Sequence, residues 1–490
     1  MNTYIGIDIG TSSAKLTLID NSGQILKESS REYNILEVCP GWKEIDPECW
    51  MNAIDQAMQE LLIGFDAKSV KGIGVTGQMH TVVLIGNDGK SIRPALMWND
   101  TRTSNRVAQV KEQIRSISSV SYIANVISTG SPAMNLLWLK ENEPDTFNKI
   151  YKFVIGPDYI VYRLTGSLQT DFCEASTSSL FDLNNGIWSK EIQQLLGFPW
   201  TIYPEVKGTN EIAGTVKDSW ANQYGFQKDI PVIVGTGDNP AAAISTGCFS
   251  KKYPVLSLGT SGVLMFPKDK IDFGAKGKNI MFSFDRNNIQ ILVQGVVQSC
   301  GSSMNWWIRN ILDTKDYNKE TDMNIDLLGQ NKLFFYPHLV GDKTIYADPN
   351  LRGSFIGLGT ETTRKDMTVA VMEGIAFGVK QLTEVMKIPN ADLQNLKITG
   401  GGSKNEVWMQ IFADILGVNI EQLEAGAGAG YGMALSVASV VEDISMNEIL
   451  DQVIQVKKVF YPRENFVKRY NKKYETYLKI HDALYDIYHE

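Results

Sequence analysis

An α/β chain built from a duplicated unit is the fold class this sequence predicts, on three observations. Short β-rich runs alternate with apolar residues at helical spacing to about residue 247. An apolar strand running into Gly-Thr-Ser and out into another apolar strand occurs at Ile7-Asp8-Ile9-Gly10-Thr11-Ser12-Ser13. The same pattern returns about 250 residues later at Val255-Leu256-Ser257-Leu258-Gly259-Thr260-Ser261-Gly262. The length, 490 residues, exceeds one compact core and suits two or three domains.

Taken in order, residues 4–8 and 15–20 read as strands joined by a turn at 10–13, with a second turn at Asn21-Ser22-Gly23. Asp46-Pro47 is a helix start, a side-chain cap followed by proline at the first helical position. Met51, Ile54, Met58 and Leu61 follow at helical spacing. Residues 70–75 return as a strand that ends on Gly77-Gln78-Met79-His80. We place the domain boundary at 247, giving domains 1–247 and 248–490. Residues from about 460 form a terminal helix docked by Phe466, Tyr470, Tyr474, Tyr477 and Leu484.

Composition narrows the function classes. Hydrophobic residues at 43% and charged residues at 21% belong to a globular chain, not a disordered one. A net charge of −8 argues against a nucleic-acid-binding role. Cys39, Cys49, Cys173, Cys248 and Cys300 lie far apart with no C-x-x-C pair, which suits a reducing compartment and neither a disulfide framework nor a zinc site. No apolar run approaches the roughly 18 residues that span a bilayer, and the chain opens on a strand without a charged leader. A cytoplasmic protein with no membrane partner is expected. With four histidines (His80, His338, His481, His489), acid–base chemistry falls to carboxylates.

Several short segments carry candidate chemistry. Gly10-Thr11-Ser12-Ser13 offers backbone N–H groups and three hydroxyls to phosphate oxygens, with Lys15 adding charge. The alternative is a plain polar hairpin, and the second copy at 259–262 favours the phosphate reading. Asp8 repels phosphate unless Mg²⁺ lies between them. Gly86-Asn87-Asp88-Gly89-Lys90-Ser91 resembles the tail of a P-loop, but Leu84 stands where the first glycine is required, so it reads as a turn. Gly426, Gly428, Gly430 and Gly432 alternate without forming G-x-G-x-x-G, which gives dinucleotide binding no support.

Asp238 follows the strand-like Pro231-Val232-Ile233-Val234 and the glycines Gly235 and Gly237, at a strand's C-terminal end where α/β sheets place ligands. It also suits a helix cap, and the two roles are compatible. Gln78-Met79-His80 and Trp98-Asn99-Asp100 combine hydrogen-bonding groups with apolar walls, as a sugar site needs.

Together, Asp8-Ile9-Gly10-Thr11-Ser12, Gly77-Gln78-Met79-His80, Trp98-Asn99-Asp100, Gly237-Asp238-Asn239, Ser257-Leu258-Gly259-Thr260-Ser261-Gly262 and Gly400-Gly401-Gly402-Ser403 resemble the FGGY carbohydrate kinases, in the family's order along nearly the whole chain. The resemblance implies two ribonuclease-H-like (actin-like ATPase) domains with a catalytic cleft between them. It implies ATP and Mg²⁺ as cofactors, a small-molecule sugar as partner, and a homodimer. By position it makes Asp238 the general base and Asp8 the residue that orients the metal–phosphate group, with both as metal ligands. It gives Gln78, Met79, His80, Trp98, Asn99 and Asn239 to the sugar. Thr11, Ser12, Ser13, Lys15, Gly259, Thr260, Gly301, Asn305, Gly401, Gly402 and Asn405 go to the nucleotide.

The implied reaction is ATP-dependent phosphorylation of a pentulose, D-xylulose at its 5-hydroxyl. Gluconate, ribulose or a related polyol is the alternative substrate. An actin-like nucleotide switch is the alternative from another class. Three departures bear on the sugar. Asn135 stands where the family often has lysine, Gly341-Asp342-Lys343 where it has Gly-Glu-Arg, and Thr81 where glycine is common after His80.

Overall fold

The computed structural model describes residues 1–251, 253–284, 287–323, 325, 328–423 and 428–490. Gly426 lies outside the described residues. The chain forms two compact units, one of Met1–Ser250, Asn279–Leu292 and Ala427–Val453, the other of Lys251–Lys278, Val293–Gly426 and Ile454–Glu490.

The first unit is organised by a mixed sheet in the order Ile212–Thr215, Pro231–Ile233, Val70–Gly77, Thr3–Ile9, Ser13–Asp20, Ile25–Glu32, with the short strand Thr236–Gly237 also paired to Val70–Gly77. Alternation along Thr3–Ile9 sorts its side chains by face. Ile5, Ile7 and Ile9 are fully buried in one cluster with Trp50, Ile54 and Met58 of the helix Pro47–Leu62. That helix starts as expected, Asp46 accepting from Glu48 N at 3.0 Å.

Gly6 and Asp8 face the other way, toward the helix Gly428–Glu442. A Cβ on Gly6 falls 1.8 Å from Gly430 O, one on Gly74 2.4 Å from Met433 O, and one on Gly432 2.0 Å from Ala241 O of the helix Asp238–Ser245. The alternating glycines therefore let a helix lie directly on a sheet and on a second helix. For this reason the units do not follow a single cut at 247: a helix from the C-terminal half covers a sheet from the N-terminal half.

The second unit repeats the pattern strand for strand. Val255–Leu258 pairs antiparallel with Gly262–Lys268 and parallel with Leu396–Thr399, as Thr3–Ile9 pairs antiparallel with Ser13–Asp20 and parallel with Val70–Gly77. Ile420–Leu423 continues in parallel, and Val456–Phe460 closes that edge antiparallel, as Pro231–Ile233 and Ile212–Thr215 do in the first unit. The echo of Gly-Thr-Ser in the sequence is thus the visible part of a duplicated sheet.

Residues 86–91 form a tight turn, as expected, with Gly86 N donating to Lys90 O at 2.9 Å and Gly89 at φ +75°. The expected single terminal helix is two, Glu464–Tyr477 and Ile480–His489. Tyr470, Tyr474 and Tyr477 are buried around Phe377, but the apolar spacing stops there. In the second helix only Ile480 is buried, and Leu484 is half-buried. Among the described residues, no helix is long and apolar enough to cross a membrane.

Candidate active site

The ladders of the first unit bring three of the predicted segments to one end of the sheet. Asp8, Thr76 and Thr236 share one rung, and Ile9, Gly77 and Gly237 the next. Gly10, Gln78 and Asp238 thus leave neighbouring strands side by side. The strand that carries Asp8 and the strand that leads into Asp238 flank Val70–Gly77, two inter-strand spacings or about 10 Å apart. Both lie on the sheet face covered by Gly428–Glu442, because Asp8 alternates in step with Gly6 and the Asp238–Ser245 helix packs on that same helix.

The 10–13 turn is closed by Gly10 N donating to Ser13 O at 2.9 Å. Tyr33 holds it from behind: its N–H donates to Ser12 O at 3.0 Å, and its hydroxyl donates to Gly10 O and to Ser13 O. Ser12 is exposed, and Thr11 and Ser13 are half-buried. Among the described residues, Asp8 Oδ1 is buried without a hydrogen-bond partner. Burial pushes the Asp8 carboxyl up to about 6, against the pull of Lys15 opposite it in the hairpin. Lys15 also pairs with Glu28 at 2.8 Å.

Met79 and Asn239 lie beside Asp238, and Trp98 reaches the 10–13 turn. Asp238 is the first residue of its helix, with Gly237 in the capping position, and its Oδ1 accepts from Asn239 N at 2.8 Å. Asn239 Nδ2 lies 3.7 Å from Met79 Sδ. His80 is half-buried at φ +68°, in the left-handed region that non-glycine residues seldom occupy. Trp98 is 42% exposed and donates its indole N–H to Thr11 Oγ1 at 3.3 Å. Asn99 Oδ1 is buried with no hydrogen-bond partner among the described residues.

Gln78 differs from its expected role. It is 2% exposed, and its amide donates to Gly10 O at 3.2 Å and accepts from Thr81 Oγ1 at 3.1 Å. It works as a strut under the 10–13 turn.

In the second unit Gly259 N donates to Ser261 O at 3.2 Å, and the next helix begins against this turn: Gly301 N donates to Gly259 O at 3.0 Å and Ser302 N to Thr260 O at 2.9 Å. A Cβ on Gly301 falls 2.2 Å from Gly259 O, and one on Gly402 falls 3.0 Å from Leu258 Cβ. Gly259, Thr260, Gly301, Gly401 and Gly402 therefore gather at the end of one strand pair. Asn305 is exposed and accepts from the Tyr317 hydroxyl. Asn405 is committed elsewhere, capping the helix Glu406–Leu416 through Trp408 N at 2.8 Å and donating to Thr321 Oγ1 at 2.6 Å.

Comparison with known proteins decides the family. The N-terminal domain of the FGGY family of carbohydrate kinases matches residues 3–245, and the C-terminal domain matches residues 255–440. The chain belongs to the FGGY carbohydrate kinases. Among its relatives, the xylulose kinase of Staphylococcus xylosus is 34% identical, with 98% of this chain and 100% of the relative aligned. The xylulose kinase of Bacillus subtilis is 30% identical over 99% and 98%. The crystal structure of a xyloylose kinase from Brucella ovis superposes with a TM-score of 0.88 at 28% identity, covering 99% of this chain and 100% of that one. The two-domain FGGY kinase fold, with ATP and a small-molecule sugar as the family's substrates, follows.

The departures of this FGGY kinase have local reasons. Thr81 is fully buried, and its hydroxyl joins Gln78 to Trp98 N, which donates to it at 3.3 Å. Asn135 is fully buried and donates to Gly130 O at 3.3 Å. Asp342 accepts from Tyr346 N at 2.7 Å inside its own loop. Asp100, the third residue of Trp98-Asn99-Asp100, is a buried anchor that accepts from Arg102 Nε at 2.9 Å and Lys43 N at 2.7 Å. Tyr33 and Glu174 escape sequence reasoning. Tyr33 sits in no motif, and the one signal at Glu174 is an acid beside the apolar Phe172-Cys173.

Asp158, Asp171 and Glu174 form a buried acidic group beneath this end of the sheet. Burial lifts all three carboxyls, Asp171 to about 6 and the other two well above the usual range. The folded chain then holds protons that the unfolded chain releases near pH 4. For Asp171, stability is complete below pH 4 and is lost as pH rises through 6. Relative to wild type, Asp171→Asn is expected to gain stability between pH 4 and 6.5, by up to about 3 kcal/mol. Denaturation curves across that range test it, and a pH-independent difference contradicts it.

Proposed function

We propose that this chain transfers the terminal phosphoryl group of ATP to the 5-hydroxyl of D-xylulose, giving D-xylulose 5-phosphate and ADP. The observation that carries this reading is the placement of Asp238 beside the Met79–His80 loop and on the same sheet face as Asp8, next to the Gly10–Ser13 turn. Full-length alignment with relatives named xylulose kinase supports the choice of sugar.

In this reading Asp238 takes the proton from the attacking hydroxyl, its carboxylate held in place by Asn239 N. Met79, His80, Trp98, Asn99 and Asn239 orient the sugar. Thr11, Ser12, Ser13 and Lys15 meet the outer phosphates, and Gly259, Thr260, Gly301, Gly401 and Gly402 belong to the nucleotide. Phosphoryl transfer has a loose transition state, so alignment and charge neutralisation supply most of the acceleration. Asp8, whose buried Oδ1 has no hydrogen-bond partner among the described residues, fits a carboxylate that holds Mg²⁺ together with Asp238. Bound Mg²⁺ neutralises phosphate charge.

An ADP-release assay over D-xylulose, ribulose, gluconate and related polyols tests the proposal. D-xylulose is expected to give the highest kcat/KM. Faster turnover of gluconate overturns the choice of sugar, and ATP hydrolysis indifferent to every sugar overturns the kinase reading in favour of a nucleotide switch.

A further inference from the structure

The roles above leave the buried acidic group unused, and of its three carboxyls Glu174 reaches the loops of the site. Glu174 lies on the short helix Phe172–Thr177 and is 1% exposed. Asp171 caps that helix, accepting from Glu174 N at 2.9 Å. The two carboxyl oxygens of Glu174 serve two different loops. Oε2 accepts from His80 N at 3.3 Å. Oε1, buried and without a hydrogen-bond partner among the described residues, lies 2.8 Å from the position of a Cβ on Gly237. Met79 Cγ lies 2.5 Å from that same position. Because Gly77 and Gly237 are ladder partners, the loops bearing His80 and Asp238 start from one rung, and Glu174 backs both.

We propose that Glu174 is a positioning residue for phosphoryl transfer, its carboxyl holding the left-handed turn at His80 and the approach of Gly237 so that the sugar loop and Asp238 keep a fixed spacing. This rests on the sugar-kinase reading above. A non-glycine residue in the left-handed region is strained and persists where its surroundings over-determine it. At His80 the acceptor that does so is Glu174. Misplacing a reacting group by about 1 Å is enough to lower a rate about 10²-fold.

Three variants of the full-length protein test this, each assayed with ATP, Mg²⁺ and D-xylulose. Glu174→Gln keeps an acceptor oxygen and the volume, and is expected to retain at least about a third of kcat. Glu174→Ala is expected to lower kcat about 10²-fold and raise the sugar KM while leaving the KM for ATP within about twofold. Glu174→Asp, one methylene shorter, is expected to fall at least about tenfold in kcat, and it decides the matter if the alanine variant does not fold. Amide exchange over residues 78–81, followed by mass spectrometry, adds a readout that needs no activity: exchange is expected to quicken about tenfold in the alanine and aspartate variants and to stay as wild type in the glutamine variant.

Unchanged exchange in Glu174→Asp, or wild-type kcat in it, overturns the positioning role, as does an equal rise in both KM values without rescue by glutamine. A wild-type protein inactive on every sugar overturns the kinase reading instead, and the exchange data still judge the hold on His80.

Discussion

Replacing Asp238 with asparagine is expected to lower kcat about 10²–10⁴-fold while leaving the KM for ATP within about twofold. Asparagine has the same size and keeps the acceptor for Asn239 N, which lies 2.8 Å from Asp238 Oδ1, so the start of the helix is preserved. What it loses is the capacity, proposed for Asp238, to take a proton from the sugar hydroxyl as the O–P bond forms. The nucleotide contacts proposed for the Gly10–Ser13 turn are made by other residues and should survive. The ADP-release assay with D-xylulose, run beside a nucleotide-binding titration, separates the two. Turnover near wild type rules Asp238 out as the base. Loss of ATP binding in parallel with kcat makes its metal-holding role the dominant one.

Gly6→Ala is expected to destabilise the first unit by roughly 3 kcal/mol or more, the upper end of what overpacking costs. The added methyl falls 1.8 Å from Gly430 O, and backbone on both sides leaves nothing to swing aside. Strand and helix must separate, and Asp8, two residues along the strand on the same face, moves with them. Activity should therefore fall together with stability. Gly401→Ala is the matched control. A Cβ there meets nothing within 4 Å, so its stability should stay within about 0.5 kcal/mol of wild type. Chemical denaturation of both variants gives the comparison, and equal stabilities contradict the close-packed seam.

Much of the site is legible in the sequence because its residues sit at strand ends. An apolar run that ends on Gly-Thr-Ser or shortly before Gly-Asp-Asn is a local signal, and local sterics place the turn that follows it. The duplication is legible for the same reason, since both copies keep the strand–turn–strand pattern. The roles of Gln78 and Asn405 are not legible, because a motif shows that a polar residue is present, not which way its amide is spent. Gln78 is consumed by Gly10 and Thr81, and Asn405 by its own helix and Thr321.

From the sequence alone came the α/β class, the paired turns, the start of the Pro47–Leu62 helix and the carboxylates at Asp8 and Asp238. These follow from interactions among residues close along the chain. Tertiary structure alone decided that a helix beginning at residue 428 covers a strand that begins at residue 3, that Tyr33 clamps the 10–13 turn, and that Glu174 lies behind His80 and Gly237. Such contacts join segments tens to hundreds of residues apart, and their cost or gain depends on shapes that exist only once both surfaces have formed.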